Sequence, residues 1–285
     1  MPSNLTPQQR EALIGKLLET QAGKVKLAAS MTLPLRDRLD YMSVGRKAFI
    51  YDPLPQGALP YYDKDIDVPA IVIGEEGQTP EAVLRGTRIL VPLFELGSNP
   101  KVSFTELKER RYNLIDRAQD KARQDLQEKE DSLIFAAFAD ACAINNNVQV
   151  AASKLDRDDL ADAFAQVERV GLRIAYIFCN ALDYSDIRKF GRDQLDINTQ
   201  ASLLATGIMA NIWGATIITT RAVPVGTVYV VAEPEFVGVI PVRIELTVLP
   251  ADDPENRMIG WSIFENIGIG VHNSNGITDI KITRT

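Results

Sequence analysis

Enzymes are recognised by their reactive side chains, and this chain has few of the usual ones. Its 285 residues hold one histidine and two cysteines. One imidazole and two thiols cannot build a zinc site of the ordinary kind. Cys142 lies in Phe138-Ala-Asp-Ala-Cys-Ala-Ile and Cys179 in Tyr176-Ile-Phe-Cys. Both settings are apolar, which reads as small core residues in a reducing compartment rather than a disulfide or a metal pair. A Cys179–His272 nucleophile pair would make a cytosolic thiol enzyme. No activating arrangement is visible around either residue, and His272 falls between a strand end and the turn Asn273-Ser-Asn-Gly. There is no Gly-x-Gly-x-x-Gly after a strand and no Gly-Lys-Ser/Thr phosphate loop. The acidic runs Asp63-Lys-Asp-Ile-Asp and Asp156-Arg-Asp-Asp lack the spacing of a calcium loop. They read as a solvated loop and a charged helix start. The expectation is no catalytic site, no cofactor and no metal.

Long hydrophobic runs are missing as well. The longest mostly apolar stretch, Leu172–Leu182, is too short to span a bilayer. Met-Pro-Ser-Asn-Leu-Thr at the N-terminus does not have the pattern of a secretory signal. A cytoplasmic protein without a membrane partner is expected. A basic excess is lacking too: net charge is −7, which leaves no footprint for tight nucleic-acid binding. An acidic surface beside DNA would repel it, which suits a container wall better than a repressor.

The most telling scarcity is local. The chain carries 18 Gly and 15 Pro, yet neither occurs between Lys101 and Val170. Within that window Thr105 to about Ile144 reads as one helix, roughly 60 Å long at 1.5 Å per residue. Its first half, Glu106 to Asp131, is mostly charged, with Leu107, Leu114, Ile115, Ala118, Ala122 and Leu126 on one narrow stripe. Its second half, Leu133 to Ile144, is apolar nearly all round and should enter a core. A helix of that length exceeds what one small domain can cover, so neighbouring molecules are expected to cover its charged half.

Other segments differ sharply. Residues 6–22 read as a short helix with Thr6 as N-cap and Gly23 as stop. Residues 44–100 are punctuated by Pro53, Pro55, Pro60, Pro69, Pro80, Pro92 and Pro100. Two β-rich runs there, Pro69-Ala-Ile-Val-Ile and Arg88 to Leu96, suggest an extended two-stranded excursion, stable only when laid on a neighbour. After the long helix come a helix from about Asp158 to Val170, a buried strand Leu172–Cys179 and a short helix from Asn180. Strands follow at 212–220, 227–232, 239–248, 258–265 and 277–282. Helix, strand and helix in this order suit an α/β layer.

The element order resembles the major capsid proteins of tailed bacteriophages, a fold shared with encapsulin shells. Three segments carry the likeness. They are Arg111-Tyr-Asn-Leu-Ile through Glu130-Asp-Ser-Leu-Ile-Phe-Ala-Ala-Phe; Trp213-Gly-Ala-Thr-Ile-Ile-Thr-Thr through Val228-Tyr-Val-Val-Ala to Arg243; and Ile259-Gly-Trp-Ser-Ile-Phe-Glu-Asn-Ile-Gly-Ile-Gly-Val-His-Asn. The likeness implies an α+β fold in five parts: an N-terminal arm (1–43), an extended loop (44–90), a peripheral domain with the spine helix (91–145), an axial domain (146–235) and a returning β segment (236–285). It implies pentamers and hexamers closing into an icosahedral shell around double-stranded DNA, assembled in a host cytoplasm. Portal, scaffolding or decoration proteins are the expected partners. Some forty residues before the loop are too few for a cleaved scaffolding segment. Lys47 and Lys64 are loop lysines, but no partner for a covalent crosslink can be matched. Candidate assembly residues are Pro53, Pro55, Gly57, Pro60, Tyr61 and Tyr62 in the loop, and Arg110, Arg111 and Arg117 on the helix. An encapsulin-like compartment is the nearest alternative.

Size-exclusion chromatography followed by electron microscopy separates these readings. A shell protein gives a megadalton hollow particle, whereas a thiol enzyme gives a small oligomer whose activity is lost in Cys179→Ala.

Overall fold

The computed structural model describes residues 16, 20–22, 44–63, 87–103, 113–151, 153–190 and 211–284. The expected N-terminal helix and the run from Pro69 lie almost wholly outside the described residues. Strands β1 (Ile50–Pro53), β2 (Tyr61–Asp63), β3 (Arg88–Leu90), β4 (Leu93–Ser98) and β5 (Lys101–Ser103) precede the long helix α1 (Asn113–Asn145). Then follow β6 (Val148–Ala151), α2 (Arg157–Glu168), β7 (Ile174–Cys179), α3 (Ala181–Arg188), β8 (Asn211–Ile212), β9 (Ala215–Thr219) and β10 (Thr227–Ala232). The chain closes with β11 (Gly238–Pro250), β12 (Met258–Gly268), β13 (Gly270–Val271) and β14 (Ile277–Ile282).

Two six-stranded sheets organise these elements. The first has the order β1-β11-β12-β4, with β13 beside β11 and β5 beside β12. Its backbone is the long antiparallel pair β11–β12, and β1 joins it in parallel, Ile50 opposite Val239. The second has the order β6-β14-β10-β7-β9-β8. Along β10 the side chains alternate, as a strand's two-residue period requires. Val228 and Val230 enter one core with Leu160, Phe164 and Ile187 of α2 and α3. Tyr229 and Val231 enter the other with Phe135 and Phe138 of α1. The second sheet is thus the middle of a helix–sheet–helix sandwich.

Helix α1 ties the sheets together. Its described length of 33 residues spans about 50 Å. Ala122, Leu126, Glu130, Ile134, Phe138 and Cys142 recur every fourth residue, and all are at most 4% exposed. Four residues make slightly more than one turn, so this file drifts about 40° around the helix per step. The buried face therefore rotates along the helix. Ala122 and Leu126 share a core cluster with Leu246, Val248, Trp261 and Ile263 of the first sheet, and Phe135 and Phe138 meet Phe178 and Tyr229 of the second. Phe135 stacks on Tyr229 at 5.7 Å and packs edge-on to Phe178 at 5.4 Å.

Two expectations about α1 need correction. The stripe at Ala122 and Leu126 is covered by the chain's own sheet and does not wait for a neighbour. The apolar half is not buried all round: Ala136 and Ala143 are exposed, and Ile144 is 79% exposed. Alanine tolerates either environment, so composition alone concealed which side faces the core.

Smaller differences have local causes. The run at 212–220 is a hairpin, because Trp213 and Gly214 both take positive φ, 48° and 88°. Two consecutive residues of that hand make the tight turn that reverses a strand. Pro92 divides the Arg88–Leu96 run into β3 and β4, since proline cannot donate to a ladder. In the described residues β3 pairs with Tyr61–Asp63. No described helix is long and apolar enough to cross a membrane.

Phe135 is 2% exposed at the meeting point of α1 and the second sheet. Phe135→Ala should destabilise the subunit by about 3–5 kcal/mol, the range for emptying an aromatic core position, measured as a lowered urea midpoint.

Candidate assembly surface

The segment 44–63 begins with a 3-10 turn, Gly45–Ala48, pressed against the middle of α1. A Cβ on Gly45 would stand 2.8 Å from Ile134 Cδ1 and 3.0 Å from Asp131 Oδ1, so any larger residue would have to displace those side chains. The Gly45 amide donates to Asp131 Oδ1 at 3.0 Å. Arg46 donates through Nε to Glu130 and through Nη2 to Glu265 on β12, the latter at 3.1 Å. One guanidinium thus joins the loop root, the helix and the first sheet. Glu130 is fully buried. Burial pushes its carboxyl up to about 7; Arg46 opposes that shift, and Glu265 and Asp131 add to it. Such a cluster contributes little net stability, because desolvation offsets the attraction, but breaking it is costly. Arg46, Glu130 and Glu265 were not singled out from sequence. The available signal was Glu130 itself, a charge lying four residues from both Leu126 and Ile134 in the apolar file.

Beyond the root, β1 runs along β11 and Leu54 continues the contact through its amide to Val242 O at 2.8 Å. The turn at Pro55–Ala58 follows, closed by the Ala58 amide on Pro55 O at 3.1 Å, with Gly57 at φ 80°. Arg243 Nη2 holds Ala58 O at 2.8 Å. The Val91 amide donates to Pro60 O at 3.1 Å, which fixes where the β2–β3 ribbon departs.

That ribbon has two faces. Tyr62 and Ile89 are cross-strand partners and half-buried. The Tyr62 hydroxyl donates to Asp52 Oδ2 at 2.6 Å, and its ring lies 5.3 Å from His272. On the other face Tyr61 opposes Leu90, and Asp63 opposes Arg88. Tyr61 is 53% exposed and Leu90 54%, and Leu59 just before them is 61% exposed. Asp63 and Arg88 pair at 2.9 Å in solvent. An apolar strip beside a charged pair, on a ribbon of three residues per strand, is a surface suited to a partner.

The sequence-selected residues therefore divide. Pro53, Pro55, Gly57 and Tyr61 are exposed, Tyr62 is half-buried, and Pro60 is buried at the root. Arg110 and Arg111 lie outside the described residues. Arg117 falls within α1, and its side chain is likewise outside the description.

Chemistry is not built into this chain's described residues. Cys179 sits fully buried in β7, and burial pushes its thiol up to about 12, with Asp183 adding to the shift. It belongs to the second sheet, whereas His272 follows β13 of the first and packs on Tyr62. A protonated, sequestered thiol is no nucleophile, so the Cys179–His272 alternative is set aside. No cluster of metal-ligating side chains occurs among the described residues. A polar cleft of about 480 Å³ lies beside Lys154, Asp156, Asp186, Lys189 and Arg284. Its groups serve structure: Arg284 binds Asp183 at 2.7 Å and Asp186 at 2.8 Å, which pins the chain end to α3.

Residues 101–280 match a family model described as phage capsid protein. No curated protein sequence matches. Among solved structures, a protein of Microbacterium phage Oxtober96 superposes with TM-score 0.64 at 13% identity, covering 85% of this chain and 91% of its own. The asymmetric unit of the bacteriophage PhiM1 mature capsid gives TM-score 0.61 at 12% identity, covering 86% and 88%. The virus-like particle from Pyrococcus furiosus gives 0.58 at 18% identity, covering 90% and 99%. At these identities the likeness establishes the fold.

The buried carboxyl at Glu130 has a measurable consequence. A raised carboxyl pKa means that the folded chain holds the proton more tightly than the unfolded chain. Stability should fall as pH rises from about 4.5 to about 7 and level off above. Glu130→Gln should flatten that slope, which urea unfolding at a series of pH values will show.

Proposed function

This chain belongs to the phage capsid protein family, whose members are structural shell proteins rather than enzymes, and we propose that it assembles through its ribbon into pentamers and hexamers that close around double-stranded DNA. That it is a shell protein follows from the family and the fold. The finer reading rests chiefly on one observation. The β2–β3 ribbon presents Leu59, Tyr61 and Leu90 to solvent on a two-stranded element too small to be stable alone. A second copy of the chain is the partner that closed symmetry supplies. Many such contacts, each weak, hold a closed shell together.

In this reading residues 44–90 reach over a neighbour. Residues 91–145 carry the spine, 146–235 gather around the symmetry axes, and 236–285 return through both. A net charge of −7 lets packaged DNA be enclosed without sticking to the wall. Portal, scaffolding and decoration proteins would be separate chains, and assembly would take place in a host cytoplasm. The fold shared with the Pyrococcus furiosus particle supports a second reading, an encapsulin-like compartment. Nucleic acid inside purified particles favours the capsid, and a co-purifying protein cargo favours the compartment.

Deleting residues 52–66 should leave a soluble subunit that fails to close shells, scored by electron microscopy of the assembly reaction. Leu90→Glu is the gentler form of the same test and should lower particle yield with the circular dichroism spectrum unchanged. Normal particles from both variants would remove the ribbon from assembly.

A further inference from the structure

The ribbon's attachment contains a group that the shell reading leaves without a task. His272, the single histidine, follows β13, and its amide donates to Val237 O at 3.0 Å. Its ring meets that of Tyr62 at 5.3 Å with a 49° tilt. Nε2 is buried without a hydrogen-bond partner among the described residues. Tyr62 is in turn tied to β1 through Asp52. Imidazole, phenol and carboxylate therefore form a side-chain chain from the turn after β13 through the ribbon to β1.

We propose that His272 is a proton-operated latch for the ribbon, closed while its ring is neutral against Tyr62 and released when the ring takes up a proton. An imidazolium donates from both nitrogens, so protonation would leave a buried N–H at Nε2 with no acceptor among the described residues. Lifting Tyr62 away lets water supply that acceptor. No charged group among the described residues bonds Nε2. Asp52 is engaged by the Tyr62 hydroxyl, Asp63 and Arg88 pair with each other in solvent, and neither β13 nor the Asn273–Gly276 turn carries a charge. The Tyr62 face offers some cation–π attraction, but burial prevails and holds the imidazole below its ordinary 6.5. The docked state thus has the lower pKa. The latch is closed at neutral pH and opens as pH falls, with docking weakened about tenfold for each unit by which docking lowers the pKa. The consequence for assembly rests on the ribbon being the contact between subunits; the latch itself is a property of one chain.

Hydrogen exchange of the full-length protein, as particles and as dissociated subunits, tests this between about pH 7.5 and pH 5, across the ordinary imidazole range. Protection of the Val91 amide, which bonds Pro60 O, should fall about tenfold on acidification once intrinsic rates are divided out. His272→Gln should abolish that pH dependence. Slow exchange at the imidazole C2–H should place the His272 pKa below 6.5, and Tyr62→Leu should return it to the ordinary value. Equal loss of protection in His272→Gln, or a His272 that titrates normally in the parent protein, would overturn the latch. Failure of the ribbon as the contact between subunits has a different signature, since particles would then form without residues 52–66 whatever His272 does.

Discussion

The structure depends on how one helix lays its buried residues. In α1 the file Ala122, Leu126, Glu130, Ile134, Phe138 and Cys142 repeats every fourth position. Because that spacing overshoots a turn, the buried face rotates as the helix advances. One end therefore packs on the first sheet and the other on the second. A file at strict coiled-coil spacing would keep to a single partner surface. The long helix joins two sheets because its periodicity is slightly wrong for either alone.

Where the file changes partner, it carries a charge. Glu130 and Asp131 meet Arg46 and the amide of Gly45, and Arg46 reaches on to Glu265. An apolar residue at position 130 would have packed there more simply. The charges instead single out one placement of the loop root, the one in which the guanidinium bridges helix and strand. In some proteins buried ion pairs serve specificity in this way rather than stability. The root is then fastened further by β1 on β11 and by Arg243 on Ala58 O. The ribbon leaves the body from a fixed place, with its apolar edge outward.

This arrangement explains how a chain with no reactive cluster among its described residues can have a function. Its described thiols are buried, and its polar cleft is lined by the ion pairs of Arg284. Leu59, Tyr61 and Leu90 stand exposed together at the ribbon, while others such as Ile144, Val150, Leu182 and Val225 are exposed at separate points. A shell subunit needs surfaces of this kind, modest in strength and fixed in direction, because closure multiplies them. The latch at His272 would add a condition under which one of those surfaces changes its direction.

Much was legible in the linear chain because it depended on neighbours in sequence. The absence of Gly and Pro from 101 to 170 announced the helix. The run Thr227-Val-Tyr-Val-Val-Ala, rich in β-branched residues, marked β10, and apolar settings identified Cys142 and Cys179 as core. Those signals arise from local backbone and burial preferences, which act within a few residues. Other features came only from tertiary structure. Ala136 and Ala143 carry no mark of the side they face. Arg46 and Glu265 are 219 positions apart, and Tyr62 and His272 are joined only because β1, β11 and β13 lie in one sheet. Pairings between distant segments are chosen by which surfaces the folded sheets bring together, and no local pattern encodes that choice.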